Sequence, residues 1–337
     1  MGAPHLTPAR FARVLLVLAG VLAVALLGSA LVGAEHIDLG TALADAGSVD
    51  HVILTRIRLP RACLAAVVGA ALAAAGTVLQ ALLRNPLADP HMLGVSGGAA
   101  LGAALLLVFG ASGGVLHAAL VPVGAFAGAL ATMLAVYRLG SVHGRLQPYM
   151  FLLAGVVCNA VAGALIMTLN ALADFFQAHG ILFWLLGSLQ TQSWGLVAAS
   201  ALYVSVGLAW LLGHTRALNV LSLGEESATQ LGVDVARVRR GVFVVSSLLV
   251  GAAVSVSGMI GFVGLIVPHV TRLLIGPDYR LLLPASAIMG AIFLLLADSA
   301  ARSLLGANEI PVGVVTALCG GPFFLYLLRR EGGRGVD

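Results

Sequence analysis

Few residues in this chain could do chemistry, and most of them are gathered in one place. Only 9% of the 337 residues are charged. Yet 218–240, LNVLSLGEESATQLGVDVARVRR, holds Glu225, Glu226, Asp234, Arg237, Arg239 and Arg240. Membrane-length apolar runs flank this island. Charge at a bilayer centre costs roughly 2.5–3.5 kcal/mol or more, so the island must lie in water. Ser222 and Glu225 have the spacing of a capping box, in which hydroxyl and carboxylate satisfy free amides at a helix start. Glu225 and Glu226 would then sit in the first turn, where the helix dipole favours negative charge. Gly232 stands where such a helix would stop. The pattern fits a short capped helix outside the membrane, and it fits a plain solvated loop as well.

The other reactive side chains are scattered. Asp298 and Arg302 are four apart and can pair on one helix face. Cys63, Cys158 and Cys319 lie in apolar runs without metal-type spacing and read as small core residues. The nine histidines show no paired spacing and read as surface or headgroup positions, with His36, His51, His117 and His179 on or near the outer side. No metal site, no cofactor and no catalytic residue is expected. All 18 basic residues are arginine. Without lysine the chain can be neither a conventional phosphate-loop ATPase nor a Schiff-base enzyme. If ATP drives it, another polypeptide supplies the motor. No basic stripe with interleaved aromatics suggests nucleic acid.

The elements that must hold these residues are apolar. At 60% hydrophobic, with 42 glycines, the chain has many runs near the ~20 residues that span a bilayer as a helix. It reads as all-α, a polytopic membrane protein forming a single transmembrane domain over 1–337, with a loop at 214–240. Ten spans are expected, near 11–34, 58–83, 92–110, 115–137, 148–170, 194–213, 241–259, 261–276, 281–303 and 311–328. The first is too long for a signal-peptide core and reads as an uncleaved span. Glu35 to Thr55 is expected outside, with Pro60 at the start of the second span. Trp184 and Trp194 suit an interfacial belt. Gly98 with Gly102 and Gly124 with Gly128 have the spacing that lets helices approach closely. An even number of spans puts both ends on one side. Fourteen of the eighteen arginines fall on that side, leaving Arg56, Arg58, Arg61 and Arg302 opposite. The positive-inside rule makes the arginine-rich side, with both termini and the island, cytoplasmic.

The span centres show no carboxylate constellation of the kind an ion-coupled secondary transporter uses, and no legible channel filter. A secondary transporter remains the alternative of another class.

Several stretches together resemble one family. They are Arg58-Leu-Pro-Arg61, Arg84-Asn-Pro-Leu-Ala-Asp-Pro-His-Met-Leu-Gly94, the island through Leu231-Gly-Val233, Gly261-Phe-Val-Gly-Leu-Ile-Val-Pro-His269, Ala297-Asp298 with Arg302, Glu309-Ile-Pro-Val-Gly313 and Gly321-Pro-Phe-Phe324. In order, over about 50–330, they are similar to the FecCD/BtuC-like permeases of ATP-binding-cassette importers for iron–siderophores, haem and cobalamin. The resemblance implies a ten-span, BtuC-like fold in the bacterial inner membrane. It also implies a homodimer in membrane lipid, two ATPase subunits and a periplasmic substrate-binding protein. It makes the 214–240 loop the coupling element, with Ser222, Leu223, Glu225, Glu226 and Leu231 facing the ATPase. It makes Asn85, Leu87, Pro148 and Tyr149 a cytoplasmic gate. Pro148 and Tyr149 depart from the small hydroxyl residues expected of a cobalamin permease. It makes Arg58, Arg61 and Arg302 the receivers of acidic residues on the binding protein. Phe183-Trp184-Leu-Leu-Gly-Ser-Leu189 looks more like the haem permeases, so haem is the expected cargo, followed by iron–siderophore and then cobalamin.

Overall fold

A computed structural model gives the fold and describes residues 7–33, 35–110, 115–142, 145–189, 193–304 and 309–332. In chain order the helices are α1 (Pro8–Leu31), α2 (Leu39–Ala44), α3 (Val49–Val52), α4 (Leu59–Leu83), α5 (Val95–Phe109), α6 (Val115–Gly140), α7 (Pro148–Leu172), α8 (Phe175–Leu186), α9 (Trp194–Gly213), α10 (Thr215–Ser222), α11 (Glu225–Gln230), α12 (Val235–Ser257), α13 (Val263–Ile275), α14 (Tyr279–Ser303) and α15 (Val312–Gly332). One small ladder, β1 (Ser141–Val142) with β2 (Arg145–Leu146), pairs antiparallel between α6 and α7. Long helices are what an apolar chain must form in lipid, because each helix satisfies its own backbone polar groups.

Each expected span has its helix. Among the described residues, seven helical runs are long and apolar enough to cross a membrane. Three further spans, α5, α13 and the apolar part of α15, are shorter. At 1.5 Å per residue, the 15 residues of α5 reach only about 22 Å, against about 30 Å of hydrocarbon. The chain before α5 turns back into the bundle and enters it as a short 3-10 turn, Pro90–Leu93, capped by Asp89, with Pro90 and Leu93 buried. Pro90 packs against Gly264, which also abuts the carbonyl of Leu72, halfway along α4.

The most buried helix is α4, packed by α14, α12, α13 and α9. Small residues permit this. Gly69 meets Gly290 of α14, and Gly76 meets Gly264 of α13, each with no room for a Cβ. The same holds where Gly98 and Gly102 of α5 meet Gly128 and Gly124 of α6, as their spacing predicts. In α1 only Ser29 and Ala30 are buried, and it lies along the outside of α14.

Two local expectations are corrected and others refined. Pro60 lies in the first turn of α4, as expected, but that helix continues a helical run from Val49. The residues before it, Ile53–Arg58, form a π-helical turn, and Leu59 donates to the Leu54 carbonyl. A wider turn accommodates a ring that would clash in a regular one. Residues 49–55, in the stretch expected outside, belong to that run. Trp184 is no belt residue, since it sits half-buried against the core on α8. Trp194 is exposed, and its indole donates to the Thr55 carbonyl at 2.9 Å. Cys319 is exposed, whereas Cys63 and Cys158 pack partly against the core.

Candidate functional site

Three clusters carry the chemistry, two at the arginine-rich end of the bundle and one at the opposite end. The island is two short helices, α10 and α11, rather than one. Ser222 ends α10, and its hydroxyl donates to the Asn219 carbonyl at 2.6 Å. The turn is made by Gly224 at φ +126°, a conformation that glycine adopts without a Cβ penalty. Gly224 is also the N-cap of α11, with no side-chain cap. The capping box is thus absent: Ser222 was spent one turn early, and Glu225 bonds elsewhere. Gly232 does end α11, at φ +79°, with Val233 N–H reaching the Ala228 carbonyl at 2.9 Å.

Two brackets fix this loop to the bundle. Glu225 accepts from Arg239 of α12 at 2.5 Å and lies 4.0 Å from Arg84. Asn219 of α10 donates its side-chain N–H to Asp278 at 2.7 Å, while its Oδ1 accepts from Tyr279 N–H at 2.8 Å, at the start of α14. Hydrogen bonds from Arg280 hold the Asp278 carboxyl well below its ordinary value, at about 2, against a raising effect of burial; Asn219 adds to the lowering. A depressed carboxylate contributes stability fully present above its ordinary value and lost as pH falls toward the folded one. That window runs from about pH 4 down to about pH 2 here. Asp278→Ala should cost about 1–2 kcal/mol through the lost cap and clasp, and Asp278→Asn, which can still cap, less. Thermal melts of the purified variants at pH 7 check the order.

The apex of the loop is apolar and exposed. Leu223 is 70% and Leu231 65% exposed. Glu226 is exposed beside them. Exposed leucines on rigidly braced backbone make a surface suited to docking.

At the same end, Arg84 ends α4 in left-handed backbone at φ +48°. Asn85 is exposed, and its side-chain oxygen accepts from Leu87 N–H at 2.9 Å, closing a turn that half-buries Leu87. Tyr149 is 76% exposed on the first turn of α7. Pro148 begins that helix, and its side chain lies outside the described ones.

The opposite end holds the arginines. Asp298 is fully buried. Its Oδ1 accepts from Arg61 Nε and pairs with Nη2, both at 3.0 Å, and its Oδ2 accepts from Arg302 Nε at 3.0 Å. Arg61 also donates to Glu309 at 2.7 Å. Arg302 donates to the Val32 and Ser29 carbonyls at 2.5 and 2.9 Å. Arg58 donates to the Leu31 carbonyl at 2.9 Å and to the Glu35 carbonyl. The i,i+4 pairing of Asp298 with Arg302 matches its spacing. Arg58, Arg61 and Arg302, expected to receive acidic residues of a binding protein, are 5%, 7% and 4% exposed and are engaged within the chain. Their own chain reached them first. Two buried carboxylate contacts and the unpaired carbonyls at the end of α1 fill their donors. Arg56, two residues earlier, is exposed.

The FecCD transport family profile matches residues 16–330. The chain belongs to that family. The hemin transport system permease HmuU of Yersinia pestis is 45% identical over 310 residues, 90% of this chain and 92% of its own length. The cobalamin import system permease BtuC of Halobacterium salinarum is 47% identical over 281 residues, 83% of this chain and 74% of that one. A solved metal-chelate-type ABC transporter in an inward-facing conformation superposes with a TM-score of 0.82 at 33% identity, covering 95% of this chain and 99% of that one. The FecCD chain is therefore a multi-pass membrane permease of an ABC importer.

Sequence reasoning missed two features of this FecCD permease. The helix α8 falls in a segment read as a connection, because 12 residues are short of a span. Its ends say what it does: Asp174 caps it with a reciprocal Gln177 bond, and its last turn abuts Gly258 and Gly313 inside the bundle. His91 was read with the surface histidines, yet it lies on the re-entrant stretch before α5. Asn159, midway along α7, donates to its carbonyl at 2.9 Å. The half-length of α5 after a polar break with two prolines is the signal that could have placed it.

Proposed function

We propose that this permease carries a bulky iron chelate, haem first, inward across the bacterial inner membrane. It works as a homodimer with two separate ATPase subunits and a soluble binding protein. Iron–siderophore and cobalamin are the next cargoes in order. The observation that carries the reading is the braced loop α10–α11, which presents Leu223 and Leu231 from a chain that has no lysine for a phosphate loop of its own. Haem is favoured by Phe183-Trp184-Leu-Leu-Gly-Ser-Leu189, by Pro148 and Tyr149 in place of small hydroxyl residues, and by the likeness to a hemin permease along nine-tenths of the chain.

In this reading the arginine-rich end, both termini and the loop are cytoplasmic. Ser222, Leu223, Glu225, Glu226 and Leu231 form the coupling element. A motor that moves the loop moves α12 through Glu225–Arg239 and α14 through Asn219–Asp278, so the two halves rock as units. The bias between states comes from differential contacts with motor and binding protein. Asn85, Leu87, Pro148 and Tyr149 serve as the cytoplasmic gate, completed by the second copy. The binding protein docks at the opposite end. There Arg58, Arg61 and Arg302 act from within, shaping the docking face, and the exposed Arg56 and half-exposed Glu309 meet the partner.

The test is uptake into proteoliposomes reconstituted from this permease, its ATPase and its binding protein. ATP-dependent haem uptake is expected, and the verified permease alone should hydrolyse no ATP. ATP-driven uptake of cobalamin or a ferric siderophore but not haem would overturn the cargo. Uptake driven by an ion gradient without the ATPase would overturn the class.

A further inference from the structure

The helix α1 is tied to the bundle by arginines at both of its ends. At its C-terminal end Arg302 donates to the Ser29 and Val32 carbonyls, and Arg58 donates to that of Leu31. At its N-terminal end Arg10 Nη2 donates at 2.8 Å to the carbonyl of Ile275, the last residue of α13. Within α1 only Ser29 and Ala30 are buried. Next to Arg10 a cleft of about 220 Å³ opens between α1, α13 and α14. Its walls include Val14, Val17 and Leu18 of α1, Leu274 of α13 and Met289 of α14. Thr271 adds one hydroxyl, which already donates to the Val267 carbonyl at 2.7 Å.

In a membrane protein such a cleft does not stay empty. Its lining would forfeit dispersion contacts on the open side. Water is no substitute, since a held water needs about two to four polar partners. What the surroundings offer is a hydrocarbon chain. One charged residue lines the same cleft, and it sets the headgroup. Arg13 is exposed, and among the described residues no hydrogen bond or ion pair engages it. Arg10 brings a second guanidinium to Ile275, which also lines the cleft. The carboxylate that follows α13, Asp278, is committed to Arg280 and Asn219. A guanidinium suits a phosphate, because its planar fork grips two oxygens. Its long stem can lie along an apolar wall while the head reaches headgroup level.

We propose that this cleft holds one tail of an anionic phospholipid, with Arg13 gripping the phosphate and Arg10 adding positive charge at the rim. The lipid then completes the packing of α1 against α13 that protein side chains leave open. Neither the site nor its test depends on the cargo, or on which leaflet faces Arg13.

The experiment titrates the purified full chain in detergent with dioleoylphosphatidylglycerol and, separately, with dioleoylphosphatidylcholine, which has the same tails and no net charge. Native mass spectrometry counts the bound lipid. The wild type should bind its first phosphatidylglycerol about fivefold more tightly than phosphatidylcholine, the worth of one arginine at a membrane surface. Arg13→Gln should bind the two lipids alike. Arg138→Gln, an equally exposed arginine on α6 outside the cleft, should keep the preference. Val17→Trp, which fills the cleft from α1, should lose the first tight lipid of either kind. Glycerol phosphate, a headgroup without tails, should not displace the lipid. A wild type with no preference overturns the site, and so does Arg13→Gln with the preference intact. Undiminished binding by Val17→Trp places the tail elsewhere and overturns the cleft. Displacement by glycerol phosphate makes the site one for free phosphate and overturns the lipid.

Discussion

Asp298→Ala should leave little folded permease. Asp298 is fully buried and is the shared acceptor of Arg61 and Arg302, themselves 7% and 4% exposed. A buried ion cluster adds little net stability over a well-packed apolar one, because desolvation offsets the attraction. Removing one member is a different matter, because it strands the opposite charges: about 3–5 kcal/mol is expected. Two arginines are stranded here, though Glu309 still holds part of Arg61. Native stability is typically about 5–15 kcal/mol, so the loss is a large share of it. The consequences spread, because Arg302 also satisfies the final carbonyls of α1. The measurement is the yield and melting temperature of monodisperse permease. Asp298→Ala with Arg302→Met should recover part of the loss, since the second change removes one stranded charge. A single variant that melts like wild type would show that water reaches the cluster. By the same logic Arg58→Glu with Arg61→Glu reports folding, because the change at Arg61 sets a carboxylate against Asp298 and Glu309 and the change at Arg58 sets one against the Leu31 and Glu35 carbonyls.

The spans were legible because hydropathy is a property of composition, and lipid admits little besides helices to an apolar chain. The close approach of α5 and α6 was legible from Gly98, Gly102, Gly124 and Gly128 because small residues at spacing four have few other uses in lipid. What could not be read was whatever depends on long-range pairing. Asp298 and Arg302 are neighbours on one helix, so their pairing is local. Arg61 is 237 residues from Asp298, and nothing in the sequence says that it arrives there. Its burial, and the shift of Arg58 and Arg302 from surface to interior, follow from that arrival and from the position of α1. The failed capping box is a local error. Ser-Leu-Gly-Glu matches the pattern, but Gly224 at φ +126° breaks the chain between the two residues the box needs. A glycine inside a capping box thus argued for two helices. The π-turn before Pro60 and the half-helix α8 escaped because apolar pattern does not distinguish a wide turn from a regular one, or a re-entrant helix from a connection.

Leu223→Asp with Leu231→Asp should abolish coupling while sparing the fold. Both side chains are mostly exposed, so their loss removes almost no packing, and surface changes of this kind usually fall within about 0.5 kcal/mol. The same exposure makes them the apolar anchors of the loop. In protein interfaces a few well-placed anchors cost about 2 kcal/mol or more each when lost, roughly 30-fold in affinity. Charge placed in a desolvated contact costs more than truncation, since it must be buried without a partner. Uptake by the complete importer should therefore fall by about 100-fold or more, with co-purification of the ATPase lost in parallel. Glu225→Gln separates anchor from bracket. Glu225 is half-exposed but Arg239 is buried, so losing their ion pair is expected to cost more than the roughly 0–1 kcal/mol of a fully exposed pair. If the bracket transmits motion, that variant should retain the ATPase yet move less cargo for each ATP hydrolysed. If the double aspartate variant retains both assembly and uptake, the apex of α10–α11 is not where the motor docks, and the coupling role must pass to another exposed segment of the arginine-rich end.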